Sequence, residues 1–218
     1  MAKSERSTVG ERLYWCYANQ AMAEMATTDR AEAYGRLHYM VRARLYKGLR
    51  TGSMSAGSLM RDQAVRMKLP QECVYCGSVQ FLSIDHIVPV NRGGDDGGDN
   101  AIWACRRCNS SKSDRDLFEW WSATRGGLPP LFVVRIYMKQ ALRYFENRGL
   151  LGQDWRTVEG SAYDLAMLPE SFPGPRELTF TPHHARKRRA AETEAESTGE
   201  GPDAGPAAGG EAAGTAAE

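Results

Sequence analysis

The stretch that most constrains this 218-residue chain runs from Cys73 to Asn109. It reads Cys73-Val-Tyr-Cys76, then Ile84-Asp85-His86-Ile87-Val88-Pro89, then Asn100, then Cys105-Arg-Arg-Cys108-Asn109. Two Cys-x-x-Cys pairs, 28 residues apart, can each place two thiolates on one side of a tetrahedral ion and together close its shell. Soft sulfur selects Zn²⁺ over Mg²⁺. Four thiolates leave no open position, so the expected ion at Cys73, Cys76, Cys105 and Cys108 is a structural zinc. Paired disulfides are the weaker reading, because no apolar run follows the N-terminal charges as a signal peptide would require, and a cytoplasmic location is expected. The fifth cysteine, Cys16, lies in Leu13-Tyr-Trp-Cys-Tyr17 and reads as a buried helix-core thiol.

Inside this frame, Phe81–Val88 alternates and is rich in branched residues, which predicts a strand. Arg92-Gly-Gly-Asp-Asp-Gly-Gly-Asp99 reads as a flexible hairpin loop, Asn100–Ala104 as a second strand, and Asn109 to about Ser122 as a helix. Cys76 lies just before the first strand and Cys108 just before Asn109, so the clamp would fix strand and helix start against each other. The Asp85 carboxylate and the Asn109 amide offer hard oxygen ligands suited to Mg²⁺ or Mn²⁺. His86 is the natural proton acceptor near neutral pH. Together these are the parts that phosphodiester hydrolysis needs. Neighbouring residues on a strand point to opposite faces, so Asp85 and His86 can share one site only if the strand bends or ends there. Lys112 and Arg115, near the helix start, are candidates for phosphate contact.

Asp85-His86 with Pro89, Gly93-Gly94, Asn100 and Cys108-Asn109-x-x-Lys112 resembles the HNH endonuclease family over about Cys73–Trp121. Asn109 stands where many members carry the last His. The resemblance implies a ββα-metal fold around one divalent ion and hydrolysis of DNA to 5′-phosphate and 3′-hydroxyl ends. It also implies that Asn100 holds the loop and orients His86. The expected fold class is α+β: a mainly helical chain around a small ββα-metal core with a zinc clamp.

The flanks carry no family signature. Helices are expected over about 9–26, from a cap at Thr28-Asp29 to Gly48 or Gly52, from Ser55 to Lys68, and from Pro129 to about Asn147. Inward positions would be Tyr34, Leu37, Val41 and Leu45 in the second, Leu59, Ala64 and Met67 in the third, and one face of Leu131, Val134, Met138, Leu142 and Phe145 in the last. Residues 150–182 read as irregular, and residues 1–8 as a frayed end. The implied division is a basic helical region over 1–70, a nuclease core over 71–126, a helical extension over 127–182, and a basic cluster with an acidic tail over 183–218.

The net charge of +1 conceals an asymmetry. Residues 190–218 carry seven acids, no Lys or Arg, and no aromatic or branched aliphatic residue, a composition expected to be disordered. The remaining 189 residues hold 28 Lys and Arg against 20 acids, a net of +8. Residues 30–68 alone carry nine bases against Glu32 and Asp62, so Arg36, Arg42, Arg44 and Lys47 are candidates for gripping DNA phosphates. No segment approaches a membrane span. Competing readings are a non-catalytic zinc module that binds nucleic acid, and a nuclease subunit that acts only with a defence, restriction or phage-packaging partner.

Overall fold

The structure, a computed structural model, describes residues 6–57 and 59–198. It divides into two units, Met1–Ala185 and Arg186–Glu218. The first begins with α1 (Val9–Thr28), α2 (Arg36–Arg50) and α3 (Leu59–Lys68). β1 (Leu82–His86) and β2 (Ala101–Cys105) follow, with a short 3₁₀ turn at Val90–Arg92 between them. Then come α4 (Arg106–Lys112), α5 (Leu117–Thr124) and α6 (Leu131–Asn147). The strands pair antiparallel with Asp85 opposite Ile102 and His86 opposite Ala101. This is the expected α+β class, mainly helical with one two-stranded sheet.

Of the frayed end expected over residues 1–8, residues 1–5 lie outside the described residues, and residues 6–8 are held in place. The Thr8 hydroxyl accepts from Glu11 N–H and caps α1, and Thr8 pairs with Asp154. Asp29 closes α1 rather than opening the next helix. Arg30 turns the chain at φ 55°, and α2 starts only after Gly35, whose N–H donates to His38 Nδ1. The inward side of α2 is accordingly His38, Val41, Leu45 and Leu49, while Leu37 is exposed.

In α3 the expected apolar face holds at Leu59, which packs against the core as Val65 does, but Ala64 and Met67 point outward and Asp62 is buried. An electrostatic anchor joins the apolar contact there. Asp62 takes Lys139 Nζ at 2.7 Å and Arg135 Nε at 2.9 Å, both from α6. Arg135 also pairs with Glu24 of α1, so one buried network ties three helices together. A buried carboxylate is tolerated only when partners of this kind surround it.

α6 departs from the one-faced helix expected, since Phe132, Val133, Ile136, Tyr137, Lys139, Gln140 and Ala141 are buried along with the predicted face. It is the central helix of the unit, and its ring contacts reach Phe118 of α5 and Tyr163 of the following segment. Residues 150–181 hold short 3₁₀ turns at Trp155–Thr157, Leu165–Met167 and Pro175–Glu177 and no longer element.

The single helix expected from Asn109 to Ser122 is two helices. Ser113 adopts φ 52° and stops α4, and Asp116 accepts from the N–H groups of Phe118 and Glu119 to start α5. Disorder from residue 190 is likewise corrected up to Thr198: α7 (Pro182–Thr198) continues through Ala-Ala-Glu-Thr-Glu-Ala-Glu. Such residues bury little but favour the helix intrinsically. The rest of the expected disordered tail, 199–218, lies outside the described residues. No helix among the described residues is long and apolar enough to cross a membrane.

Candidate active site and cysteine cluster

The four cysteines meet. Their Sγ atoms all lie within 4.8 Å of one another, and Cys76 and Cys105 are 3.7 Å apart. Thiolates about 2.3 Å from a tetrahedral zinc would stand roughly 3.8 Å from each other, so the cluster is compatible with a structural zinc. Gly77, at φ 76°, turns the chain after the first pair, and its N–H donates to Cys73 O at 2.7 Å. The hydrogen bond from Cys108 is the main cause holding the Cys73 thiol well below its usual value. Arg125 donates to Cys108 Sγ at 2.8 Å and to Tyr75 O, a cation placed where thiolate charge collects. The cluster is tied to the sheet by Val74 N–H on Trp103 O and by Arg106 N–H on Phe81 O. Cys16 stands apart, buried in α1, and burial raises its thiol pKa far above the ordinary value.

Asp85, His86 and Asn109 line one open groove together with Ile84, Pro89, Val90, Asn91, Ser113 and Asp114. β1 ends at His86, which satisfies the condition for two neighbouring residues to serve one site. Two side chains of α4, three residues apart, grip carbonyls two residues apart on β1. Asn109 Nδ2 donates to Ile84 O at 3.1 Å and to Ser83 Oγ at 3.0 Å. Lys112 Nζ donates to His86 O at 2.6 Å. These bonds fix the Asn109 amide by its nitrogen and leave its Oδ1 for a ligand.

Asp85 is 5% exposed. Its Oδ1 takes Lys112 Nζ at 3.1 Å, and its Oδ2 accepts from Tyr75 OH at 2.7 Å. Lys112 is therefore not a surface phosphate contact in this structure: it is fully buried, with its ammonium held between Asp85 and a carbonyl. Burial lowers the Lys112 pKa, and Asp85 opposes that shift. Burial, followed by the Asp85 charge, raises the Tyr75 phenol.

His86 Nε2 lies 3.1 Å from Asp96 Oδ1, in the loop expected to be merely flexible. Asn100 does not touch the His86 ring. It is fully buried, accepts from Val88 N–H at 2.9 Å, and donates to Val88 O and Asp95 O at 2.7 and 2.6 Å. Its carbonyl also accepts from Ile87 N–H. Asn100 thus staples the residues after His86 to the residue before Asp96. Gly94 is needed in the same turn, because a Cβ there would collide with the Val88 carbonyl. Sequence reasoning missed Tyr75 and Asp96; each lies within the motif frame, but no spacing rule connects them to Asp85 or His86.

The expected DNA-gripping residues are scattered. Arg36, Arg44 and Lys47 are exposed on α2. Arg42 is not free: it stacks over Trp15 and Tyr39 and donates to Asn19 Oδ1. Arg115 is half-buried and bonds the Ser111 carbonyl.

Residues 73–115 match the family model described as HNH endonuclease, so this chain carries an HNH endonuclease domain. The chain is also similar to the CRISPR-associated endonuclease Cas9 of Actinomyces naeslundii, with 33% identity over 86 residues. That match covers 38% of this chain and 8% of the relative, so the chain spans less than a tenth of its length. No solved structure matches the chain.

Proposed function

We propose that the chain is a metal-dependent endonuclease that hydrolyses DNA to 5′-phosphate and 3′-hydroxyl ends, with His86 as general base and Asp85 and Asn109 holding Mg²⁺ or Mn²⁺. The observation that carries the reading is the convergence of Asp85, His86 and the free Oδ1 of Asn109 on one open groove within an HNH domain. DNA as substrate rests on the family and on the basic body of the chain.

The donor set fits the ion. A carboxylate has about four lone-pair sites, so the bonds from Lys112 and Tyr75 leave acceptor capacity on Asp85. When bound, a divalent ion there neutralises charge on the scissile phosphate and the leaving oxygen. A bond from His86 Nε2–H to Asp96 leaves the lone pair on Nδ1, the atom assigned to take the proton from water. Asn100 acts as a positioning residue through the backbone that carries both partners. The four cysteines are assigned to Zn²⁺, which holds β1 and α4 in register without entering the chemistry.

A partner that delivers the nuclease is the second reading. It is favoured by the exposed Leu37, Tyr39 and Met40 on α2 and Met60 and Met67 on α3, apolar side chains that a partner could cover.

The test is cleavage of supercoiled plasmid with Mg²⁺, Mn²⁺ or EDTA by the parent and His86→Ala. The variant should lose at least about a hundredfold in rate while still binding DNA. Near-parent turnover by His86→Ala would remove the assignment.

A further inference from the structure

The HNH domain displays large apolar side chains just before β1 and on it. Val79 is 69% exposed, Phe81 79% and Ile84 50%. Phe81 also adopts φ 50°, the left-handed region, and glycine rather than phenylalanine is the residue at home there. It is held in that conformation at the point where β1 and α4 meet: its carbonyl accepts from Arg106 N–H at 2.9 Å, and β1 begins at the next residue. The fold therefore carries strain in order to hold an aromatic ring in solvent, and burial offers no return. Strain of this kind at an exposed bulky residue points to use outside the folded chain.

What covers the ring is indicated by charge and by position. Arg106 and Arg107, which open α4 beneath Phe81, are both exposed. Between residues 70 and 84 the sole acid is Glu72, and it is buried. The surface around Phe81 is thus aromatic and cationic with no exposed carboxylate in that segment, the pairing that binds nucleobases and phosphates together. Ile84, three residues on, lines the groove that holds His86. A strand rise of about 3.3 Å per residue sets Leu82, the residue after Phe81, roughly 13 Å from His86, about four nucleotide rises along one strand.

We propose that Phe81, flanked by Val79 and Ile84, is a base-stacking contact for the DNA, engaging it a few nucleotides from the phosphate at His86 while Arg106 and Arg107 take the backbone. The inference rests on the nuclease reading above and adds an interaction surface to it.

The experiment compares the full-length parent with Phe81→Ala, Phe81→Gly and Phe81→Trp, zinc retained and magnesium omitted, on short duplex and single-stranded DNA. On single-stranded DNA, Phe81→Ala and Phe81→Gly should each weaken binding about tenfold, the loss of one stacked base. Phe81→Trp should keep the parent's affinity. The slope of log affinity against log salt should be the same in all four proteins, because stacking releases no counterions. The Tm of Phe81→Gly should equal or exceed the parent's, since glycine adopts the backbone freely. Parent-like DNA affinity in Phe81→Ala overturns the inference, and so does a Phe81→Gly Tm below the parent's, which would make the ring a packing residue. A change confined to self-association or to binding of a protein overturns it too. A parent that neither binds nor cleaves DNA removes both readings. A parent that cleaves, with Phe81→Ala unaffected, removes only this one.

Discussion

Lys112→Met is the substitution that probes the site most directly. Methionine keeps the length and most of the volume of the side chain and removes the ammonium. In the parent the ammonium is fully buried and serves both Asp85 Oδ1 and the His86 carbonyl. Without it, Asp85 keeps only the Tyr75 hydroxyl, and a carbonyl at the end of β1 loses its donor. Removing one partner of a buried ion pair costs about 3–5 kcal/mol, because a charge remains with nothing to balance it. Two features set this case at the low end. The groove beside Asp85 is open, so water can reach the carboxylate, and burial itself disfavours the Lys112 charge, a penalty the variant escapes. The expected loss is therefore about 3 kcal/mol, a large part of the 5–15 kcal/mol typical of a folded domain. Asp85→Asn with Lys112→Met removes both charges and should be less destabilised than Lys112→Met alone, by about 1–2 kcal/mol. Urea unfolding with zinc present checks both numbers, and fluorescence is a suitable signal because Trp120 packs edge-on against Tyr75. A loss under about 1 kcal/mol in Lys112→Met, or a double variant no more stable than the single one, would refute the reasoning.

Three further outcomes are expected. Cys108→Ser should unfold the domain before it affects chemistry, since structural zinc contributes on the order of 10 kcal/mol, and elemental analysis should find about one zinc per parent chain and none in the variant. Burial raises the Asp116 pKa above 3.8, opposed by the bond from Tyr137, so the native state binds the proton more tightly than the unfolded chain. Stability contributed by that group is present below about pH 3.8 and is lost as pH rises through the folded value; Asp116→Asn should remove this downward slope, measured by urea titrations from pH 4 upward. Neutralising Arg36, Arg44 and Lys47 together should flatten the salt dependence of DNA binding by up to about 0.9 per contact, and an unchanged slope would make α2 a solvated face.

The core of the site was legible because its residues are spaced by chemistry. Four cysteines in two pairs admit one obvious arrangement, and the alternation of Phe81–Val88 marks the strand that carries Asp85 and His86. What misled was competition between local signals and distant partners. Asp62 looked like a surface charge on α3 until Arg135 and Lys139, more than seventy residues away, drew it inward and turned Ala64 and Met67 out. Lys112 looked like a phosphate contact because a lysine near a helix start usually points to solvent, and only tertiary structure sets it beneath Asp85. The break between α4 and α5 was partly readable, since Asp116 followed by Glu119 is an N-terminal capping pattern. The positive φ at Ser113 was not.

The setting of α6 has a practical consequence for anyone wishing to borrow this domain. Tyr137 donates from α6 to the Asp116 cap of α5, and its ring packs on Phe118. Gln140 donates to the Asp99 carbonyl, next to the Asn100 that organises the loop after His86. A fragment trimmed to residues 73–115 would keep every proposed ligand and the proposed base while losing the scaffold that holds them at their stations. Transplanted as a cassette, it should arrive as a floppy zinc knuckle with a motif. A graft that works must carry α6 along, so the useful unit of exchange extends to at least Asn147.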